Sequence, residues 1–105
     1  MNNVRRKKIE NLICWLKRLE NDFEESLLDD CIGRLDDIKN EEEEAFENMP
    51  EGLQYSARGM DSETAIDNLD EALSYLEELY STEDIEERIE KIEMAIDCLE
   101  DAKMY

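Results

Sequence analysis

Apolar residues recur at steps of three and four along almost the whole chain, which is the spacing that gives an α-helix one buried face. The first run extends from Ile9 to Phe46 and the second from Ile66 to Leu99. Only one proline and three glycines are present to interrupt these runs. The sequence therefore predicts an all-α protein of long helices with little loop between them.

The segment between the two runs predicts where the helices begin and end. A residue that precedes proline is disfavoured in the helical region, so Pro50 limits the first helix to about 4–47. A loop over 48–60 and a second helix over about 62–103 then complete a single helical domain, 1–105. At 1.5 Å per residue each helix would be ~65 Å long.

Two helices of similar length joined by one loop predict a long antiparallel, coiled-coil-like hairpin. The three-four spacing is lost between Phe23 and Leu35 in the first helix and between Tyr80 and Ile85 in the second, at one level of such a hairpin. Because the apolar stripes are broader than one partner helix can cover, we expect two hairpins to form a homodimeric four-helix bundle.

An alternative architecture interrupts the second helix near 81–84, where Ser81 and Asp84 form a weak capping pattern. This alternative gives a three-helix bundle with a break at 81–82. It gives four helices if Gly33 also ends a helix in the first half of the chain.

Thirty-one acidic residues stand against twelve Lys and Arg, and histidine is absent, so the net charge is −19. Without histidine the chain lacks the most frequent general base and the commonest metal ligand. It also lacks the Asp-rich loop of a calcium site and the Glu-x-x-His motif of a di-iron bundle. We therefore predict that the protein is not an enzyme and that it needs no metal or other cofactor.

Cysteine usage and hydropathy bear on the cellular compartment. Cys14, Cys31 and Cys98 are odd in number and far apart, which argues against a disulfide framework and suits a reducing compartment. No apolar run approaches the ~20 residues that span a bilayer. We expect a cytoplasmic protein without a membrane partner.

The basic residues are concentrated at the start of the chain. Residues 1–20 carry six basic and two acidic side chains (+4), and the remainder carries six and 29 (−23). The run from Arg5 to Lys8 occupies the first turns of a helix, where the macrodipole disfavours cations. We expect it to pair with the acidic C-terminal turns of a neighbouring helix or of a second subunit, at Glu93, Asp97, Glu100 and Asp101. The acidic remainder argues against direct binding of nucleic acid.

The densest acidic cluster lies beside the predicted loop. It comprises Glu41, Glu42, Glu43, Glu44 and Glu47. It is either a solvated helix face or a docking surface for a basic protein partner, and the loop would then add Gln54, Tyr55 and Arg58 to the contact. In the loop itself, Met49, Leu53 and Tyr55 are expected to fold back and close the hairpin, and Gly59 to supply a positive φ.

The block Glu-Glu-Glu-Glu-Ala-Phe-Glu-Asn-Met-Pro-Glu-Gly-Leu-Gln at 41–54 carries a resemblance, together with Ser56, Arg58, Gly59 and the Ala-Ile-Asp-Asn-Leu segment at 65–69. It resembles a largely uncharacterised group of small acidic helical proteins from Gram-positive bacteria, their phages and mobile elements. The resemblance implies no known activity. It favours an inhibitor or host-interaction role, in the host cytoplasm if the gene is phage-borne.

These observations predict a non-enzymatic acidic protein-binding module, plausible as a phage or mobile-element inhibitor. A charge of −19 over ~65 Å is about one charge per 3.4 Å, roughly half the linear density of duplex DNA. Carboxylates could therefore mimic DNA on the basic surface of a nucleic-acid-binding protein. The alternative function is a structural coiled-coil oligomerisation module whose acidic surface only provides solubility.

Overall fold

The computed structural model describes residues 1–105 and consists of helices and short turns, with no β-strand. The elements in chain order are α1 (Asn3–Asn21), α2 (Glu25–Glu47), α3 (Glu51–Gln54), α4 (Ala57–Glu78), a 3-10 turn (Leu79–Ser81) and α5 (Ile85–Lys103). The predicted all-α class is confirmed. No helix combines the length and apolar character that crossing a bilayer requires.

The helix expected over 4–47 is two helices, α1 and α2. The chain leaves the helical conformation at residues 22–24, where Asp22 and Glu24 both have extended backbone angles. This break lies at the beginning of the segment in which the apolar spacing is lost. Gly33 lies inside α2, so the glycine does not end a helix.

The helix expected over 62–103 is also two helices, α4 and α5. α4 ends in the 3-10 turn, and the Asp84 side chain caps α5 by accepting a hydrogen bond from the backbone N–H of Glu86 at 3.0 Å. The break therefore lies where an interruption near 81–84 was considered. α4 begins at Ala57, so the expected loop over 48–60 is replaced by α3 and the first turn of α4.

Four long helices pack around one core within a single chain. α1 contacts α2 and α5, and α4 contacts the same two helices, so the cyclic order is α1, α2, α4, α5 with neighbours antiparallel. The molecule is 47 Å long and 20 by 18 Å across, shorter than the ~65 Å rod expected for an unbroken hairpin. The two halves of each expected long helix have folded back on each other.

This packing removes the argument that led to the expected dimer of hairpins. Of the residues that broaden the apolar stripes, Ile13, Leu28 and Leu79 are at most 4% exposed and Ile32 is half-buried against the core. The buried core consists of Ile9, Leu12, Ile13, Leu16, Leu19, Leu28, Cys31, Leu35, Ile38, Leu69, Ala72, Leu73, Leu76, Leu79, Ile92, Ala95, Leu99 and Ala102. A dimer, if formed, must use a different surface.

The cysteines differ in environment. Cys31 is buried in the core and Cys98 is half-buried, and desolvation raises the pKa of each thiol to about 11. Both thiols are protonated at neutral pH and behave as small apolar side chains. Cys14 is exposed on α1.

Candidate functional site

Glu42 lies in the core, although it belongs to the acidic cluster expected on the surface. Its side chain is 1% exposed. Arg5 Nε of α1 donates to Glu42 Oε2 at 2.6 Å, and Ser62 Oγ of α4 donates to Glu42 Oε1 at 2.9 Å. The amino group of Met1 is 3.5 Å from Glu42 Oε1. A buried carboxylate is tolerable only when it is paired and hydrogen-bonded in this way, so Glu42 links three helices.

The sequence contains a pattern that could have located this link. Glu42 follows Leu35 and Ile38 at steps of three and four, which places it on the buried stripe of α2. Ser62 precedes Ala65 and Leu69 with the same spacing on α4. The prediction that every glutamate of the run from Glu41 to Glu44 faces solvent is therefore wrong for Glu42.

The other four glutamates of the cluster occupy two kinds of environment. Lys8 Nζ lies 2.7 Å from Glu41 Oε1, and Lys39 Nζ lies 3.7 Å from Glu43 Oε1, so these two carboxylates have cationic partners. Glu44 and Glu47 are exposed and form no ion pair. The expected single acidic face is therefore one buried residue, two paired residues and two free residues.

The α2–α4 connection is closed by Gln54 and Gly59. Gln54 Nε2 donates to the backbone carbonyls of Phe46 at 3.2 Å and Met49 at 3.3 Å, which terminates α2. A Cβ on Gly59 would clash with the backbone carbonyl of Gln54, so α3 and α4 approach too closely for any other residue. Gly59 has no positive φ. The expected reason for this glycine is wrong, and close approach replaces it.

Three large apolar side chains near this connection face solvent. Leu53 is 41%, Tyr55 80% and Met60 61% exposed, so Leu53 and Tyr55 do not fold back to close the end as expected. Exposed carboxylates that form no ion pair occur in the same part of the chain, at Glu44, Glu47, Glu51 and Asp61. We call these seven residues the end surface. Arg58 is exposed beside it and lines a cavity of about 340 Å³ that reaches Arg5 and Glu42.

The basic start of the chain acts structurally, but mostly with a different helix from the one expected. Arg5 and Lys8 pair with carboxylates of α2, and only Arg6 reaches the end of α5, where its Nε donates to the carbonyl of Lys103 at 3.0 Å. α1 runs antiparallel to both α2 and α5, so its first turns lie beside the last turns of each. The last turns of α2 hold the denser acidic cluster. None of the four pairs with the acidic side chains of α5 that were expected as partners.

Almost all basic side chains are engaged within the molecule. Nine of the twelve touch a carboxylate, a backbone carbonyl or an aromatic ring, and the three without such a contact are Lys7, Lys17 and Arg58. Only seven of the 31 carboxylates form an ion pair. The remaining acidic excess is thus available to an external partner.

The opposite end of the molecule is tied together by side-chain contacts. Thr82 is 5% exposed, and its Oγ1 accepts a hydrogen bond from Lys91 Nζ at 2.9 Å. Arg88 lies 4.2 Å from the ring centre of Phe23. Tyr80 donates its hydroxyl hydrogen to Asp29, and this bond raises the pKa of Tyr80 to about 12.

Comparison with known proteins returns no match among protein-family models, curated proteins or solved structures. No group of three or more Cys, Asp or Glu side chains is arranged to hold a metal ion. Function has to be inferred from the surface.

Proposed function

We propose that the protein is a non-enzymatic module that binds a basic protein surface through the end surface. The observation that carries the proposal is the exposure of Leu53, Tyr55 and Met60 at a place that Gln54 and Gly59 already close. Protein interfaces typically combine aromatic or methionine anchors at their centre with a polar rim. The free carboxylates around these three side chains provide an acidic rim.

The charge of the molecule supports a basic partner. A net charge of −19 over 47 Å is about one charge per 2.5 Å, compared with ~1.7 Å along duplex DNA. Such a surface accelerates encounter with a cationic protein by long-range steering. Together with the resemblance of residues 41–59 to small acidic proteins of phages and mobile elements, it favours an inhibitor that competes with nucleic acid for its partner.

The geometry revises the set of binding residues. Glu44, Glu47, Tyr55 and Arg58 are exposed and stay in the proposal, and Leu53 and Met60 join it. The polar atoms of Glu42 and Gln54 are occupied within the chain, so they support the surface from below. Glu41 and Glu43 would have to exchange their lysine partners for those of the bound protein.

The alternative, a structural coiled-coil oligomerisation module, predicts binding through the apolar stripes. Those stripes form the core of the single chain, so this mode requires the helices to open. Partner binding through the apolar stripes should not change when surface carboxylates are removed, which distinguishes it from acidic docking.

The test begins with capture of partners from a lysate at low and high salt, followed by kinetics with the purified partner. Glu44→Gln, Glu47→Gln and Glu51→Gln together should slow association roughly three- to tenfold at low salt and reduce its salt dependence. Tyr55→Ala with Met60→Ala should weaken affinity about thirtyfold, mainly through faster dissociation.

A matched control removes three exposed carboxylates from the opposite end, by Glu83→Gln, Glu87→Gln and Glu90→Gln. Both glutamine variants change the net charge equally, so only the end-surface variant should lose binding beyond a general charge effect. Equal losses in the two variants, or unchanged affinity in the Tyr55 and Met60 variant, would refute docking at this end. Helical content and melting temperature of each variant establish that the fold is intact.

A further inference from the structure

The face formed by α1 and α2 carries a positive ridge on α1, with Lys8 and Arg18, and a negative ridge on α2, with Asp30 and Asp37, and these four residues line the grooves between the two helices. α1 contains six basic and two acidic residues, whereas α2 contains two basic and ten acidic residues. α1 is the only long helix with a positive balance, since α4 has one basic and seven acidic residues and α5 has three and seven. The two helices lie side by side, so opposite charges flank a common seam.

Gly33 stands exposed in the middle of α2 on this face. Glycine inside a helix is less favourable than alanine, and a Cβ added here would meet no atom within 4 Å. Nothing inside one chain requires the glycine. Cys14, another small and exposed residue, lies at about the same level of α1, because the adjacent Trp15 contacts Arg34. Small residues at one level permit the close approach of another helix.

Trp15, the only tryptophan, lies half-buried on the seam at this level. The guanidinium groups of Arg18 and Arg34 lie 5.5 and 5.3 Å from its ring centre, and neither arginine forms an ion pair in this acidic molecule. Two grooves follow the seam, one of about 330 Å³ beside Trp15 and one of about 220 Å³ beside Arg34. Tryptophan and arginine are the residues that most often anchor interfaces.

We propose that the α1–α2 face binds the same face of a second copy of this chain. A two-fold axis parallel to the helices places α1 of each copy over α2 of the other, so the positive ridge meets the negative ridge twice and the assembly closes as a dimer. The same operation sets Cys14 of one copy over Gly33 of the other. It also points both end surfaces in one direction, which allows bivalent binding.

Size and charge are compatible with this dimer. α1 and α2 contain 19 and 23 residues, so the face is ~30–35 Å long and, at a width of 20 Å, roughly 650 Å² in area. Stable interfaces bury about 600–1,000 Å² per partner. Most of the remaining acidic excess lies on α4 and α5, on the far side of a body 18–20 Å across. That distance exceeds the Debye length of about 8 Å at physiological salt, so repulsion between the copies is screened. The inference does not depend on the proposed function.

Sedimentation equilibrium at about 0.15 M salt tests the proposed dimer with variants in which charges on α1 or α2 are reversed. The wild-type chain should sediment at twice its 12.4 kDa mass at tens of micromolar. Lys7→Glu with Arg18→Glu sets acidic residues of α1 opposite the acidic residues of α2, and Asp30→Lys with Asp37→Lys sets basic residues of α2 opposite the basic residues of α1. Each variant alone should therefore weaken the dimer at least tenfold. Mixed together, the two variants should form a heterodimer.

A control variant places the same charge change on the distant helix α4, as Glu63→Lys with Asp67→Lys, and should remain dimeric. Gly33→Gln should strengthen the isolated helix yet abolish the dimer, whereas Ser74→Gln on α4 should leave it intact. A wild-type chain that stays monomeric at these concentrations, or a variant mixture that fails to associate while the control dimerises, would overturn the proposal.

Discussion

Replacing Arg5 by alanine removes the cation that faces the buried carboxylate of Glu42. The lost hydrogen bond is 2.6 Å long and charge-assisted, and it leaves a carboxylate that is 1% exposed. Removing one member of a buried ion pair typically destabilises a protein by about 3–5 kcal/mol. The Ser62 hydroxyl and the Met1 amino group remain as partners, so we expect the lower end of that range, about 3 kcal/mol.

Thermal unfolding followed by circular dichroism at pH 7 measures this cost. For a chain of this length each kcal/mol shifts Tm by roughly 4–8 °C, so Arg5→Ala should lower Tm by about 12–24 °C. The helical content before the transition should be unchanged, because α1 keeps its buried stripe.

The opposite deletion provides the contrast. Glu42→Leu leaves Arg5, whose side chain is 13% exposed and can turn its guanidinium toward water, and it also leaves the buried Ser62 hydroxyl without its partner. We expect a cost of about 1–2 kcal/mol. The double variant, Arg5→Met with Glu42→Leu, should be as stable as the wild type or more stable by about 1–4 kcal/mol.

The reasoning would be refuted by equal losses for Arg5→Ala and Glu42→Leu, or by a loss below about 1 kcal/mol for Arg5→Ala. Either result would mean that the carboxylate reaches water. A double-mutant cycle across the four proteins gives the coupling energy directly.

Two further predictions concern Gly59 and Glu20. Gly59→Ala should lower the free energy of unfolding, measured in urea, by about 1–3 kcal/mol, because the new methyl group meets the backbone of α3. Gly52→Ala is the control: nothing lies within 4 Å of the new methyl group, so this change should be neutral or slightly stabilising. Burial, and a hydrogen bond with Glu93, raise the pKa of Glu20. A carboxyl whose pKa is higher in the folded state destabilises the fold above that pKa and ceases to do so as the pH falls through it. Glu20→Gln should therefore raise Tm at pH 7 and leave it almost unchanged near pH ~4. An unchanged Tm at pH 7 would contradict the raised pKa of Glu20.

Helices were predictable from the sequence because the apolar spacing is a local property of the chain. The positions of the breaks between the helices were less predictable. The second break coincides with the loss of spacing between Tyr80 and Ile85, and the first lies at Phe23, at the beginning of the segment up to Leu35 in which the spacing is lost. The spacing does not predict which residue of that segment leaves the helix, and in the structure Phe23 packs under Arg88 of α5. Contacts across 65 residues leave no mark on local periodicity.

The candidate site was predictable only as a region. The acidic cluster and the α2–α4 connection do meet at one end of the molecule. Which glutamates are buried, paired or free depends on the side of α2 that each one faces. The charge of Glu42 predicted an exposed side chain, whereas its spacing from Leu35 and Ile38 predicted a buried one. Tyr55 was expected to cover the end, whereas Gln54 closes it with its side-chain amide.

The ion pairs along the two edges of α2 have a consequence for chirality. Four helices with plain apolar stripes can turn around their common axis in either a left-handed or a right-handed sense, since the core fills equally well in mirror-related arrangements. Lys8 of α1 reaches Glu41 on one edge of α2, and Lys39, on the other edge, reaches Asp70 of α4. In the mirror arrangement α1 and α4 would exchange sides, and each lysine would face the wrong helix. The polar borders of a single helix thus favour the observed hand of the molecule over its mirror arrangement.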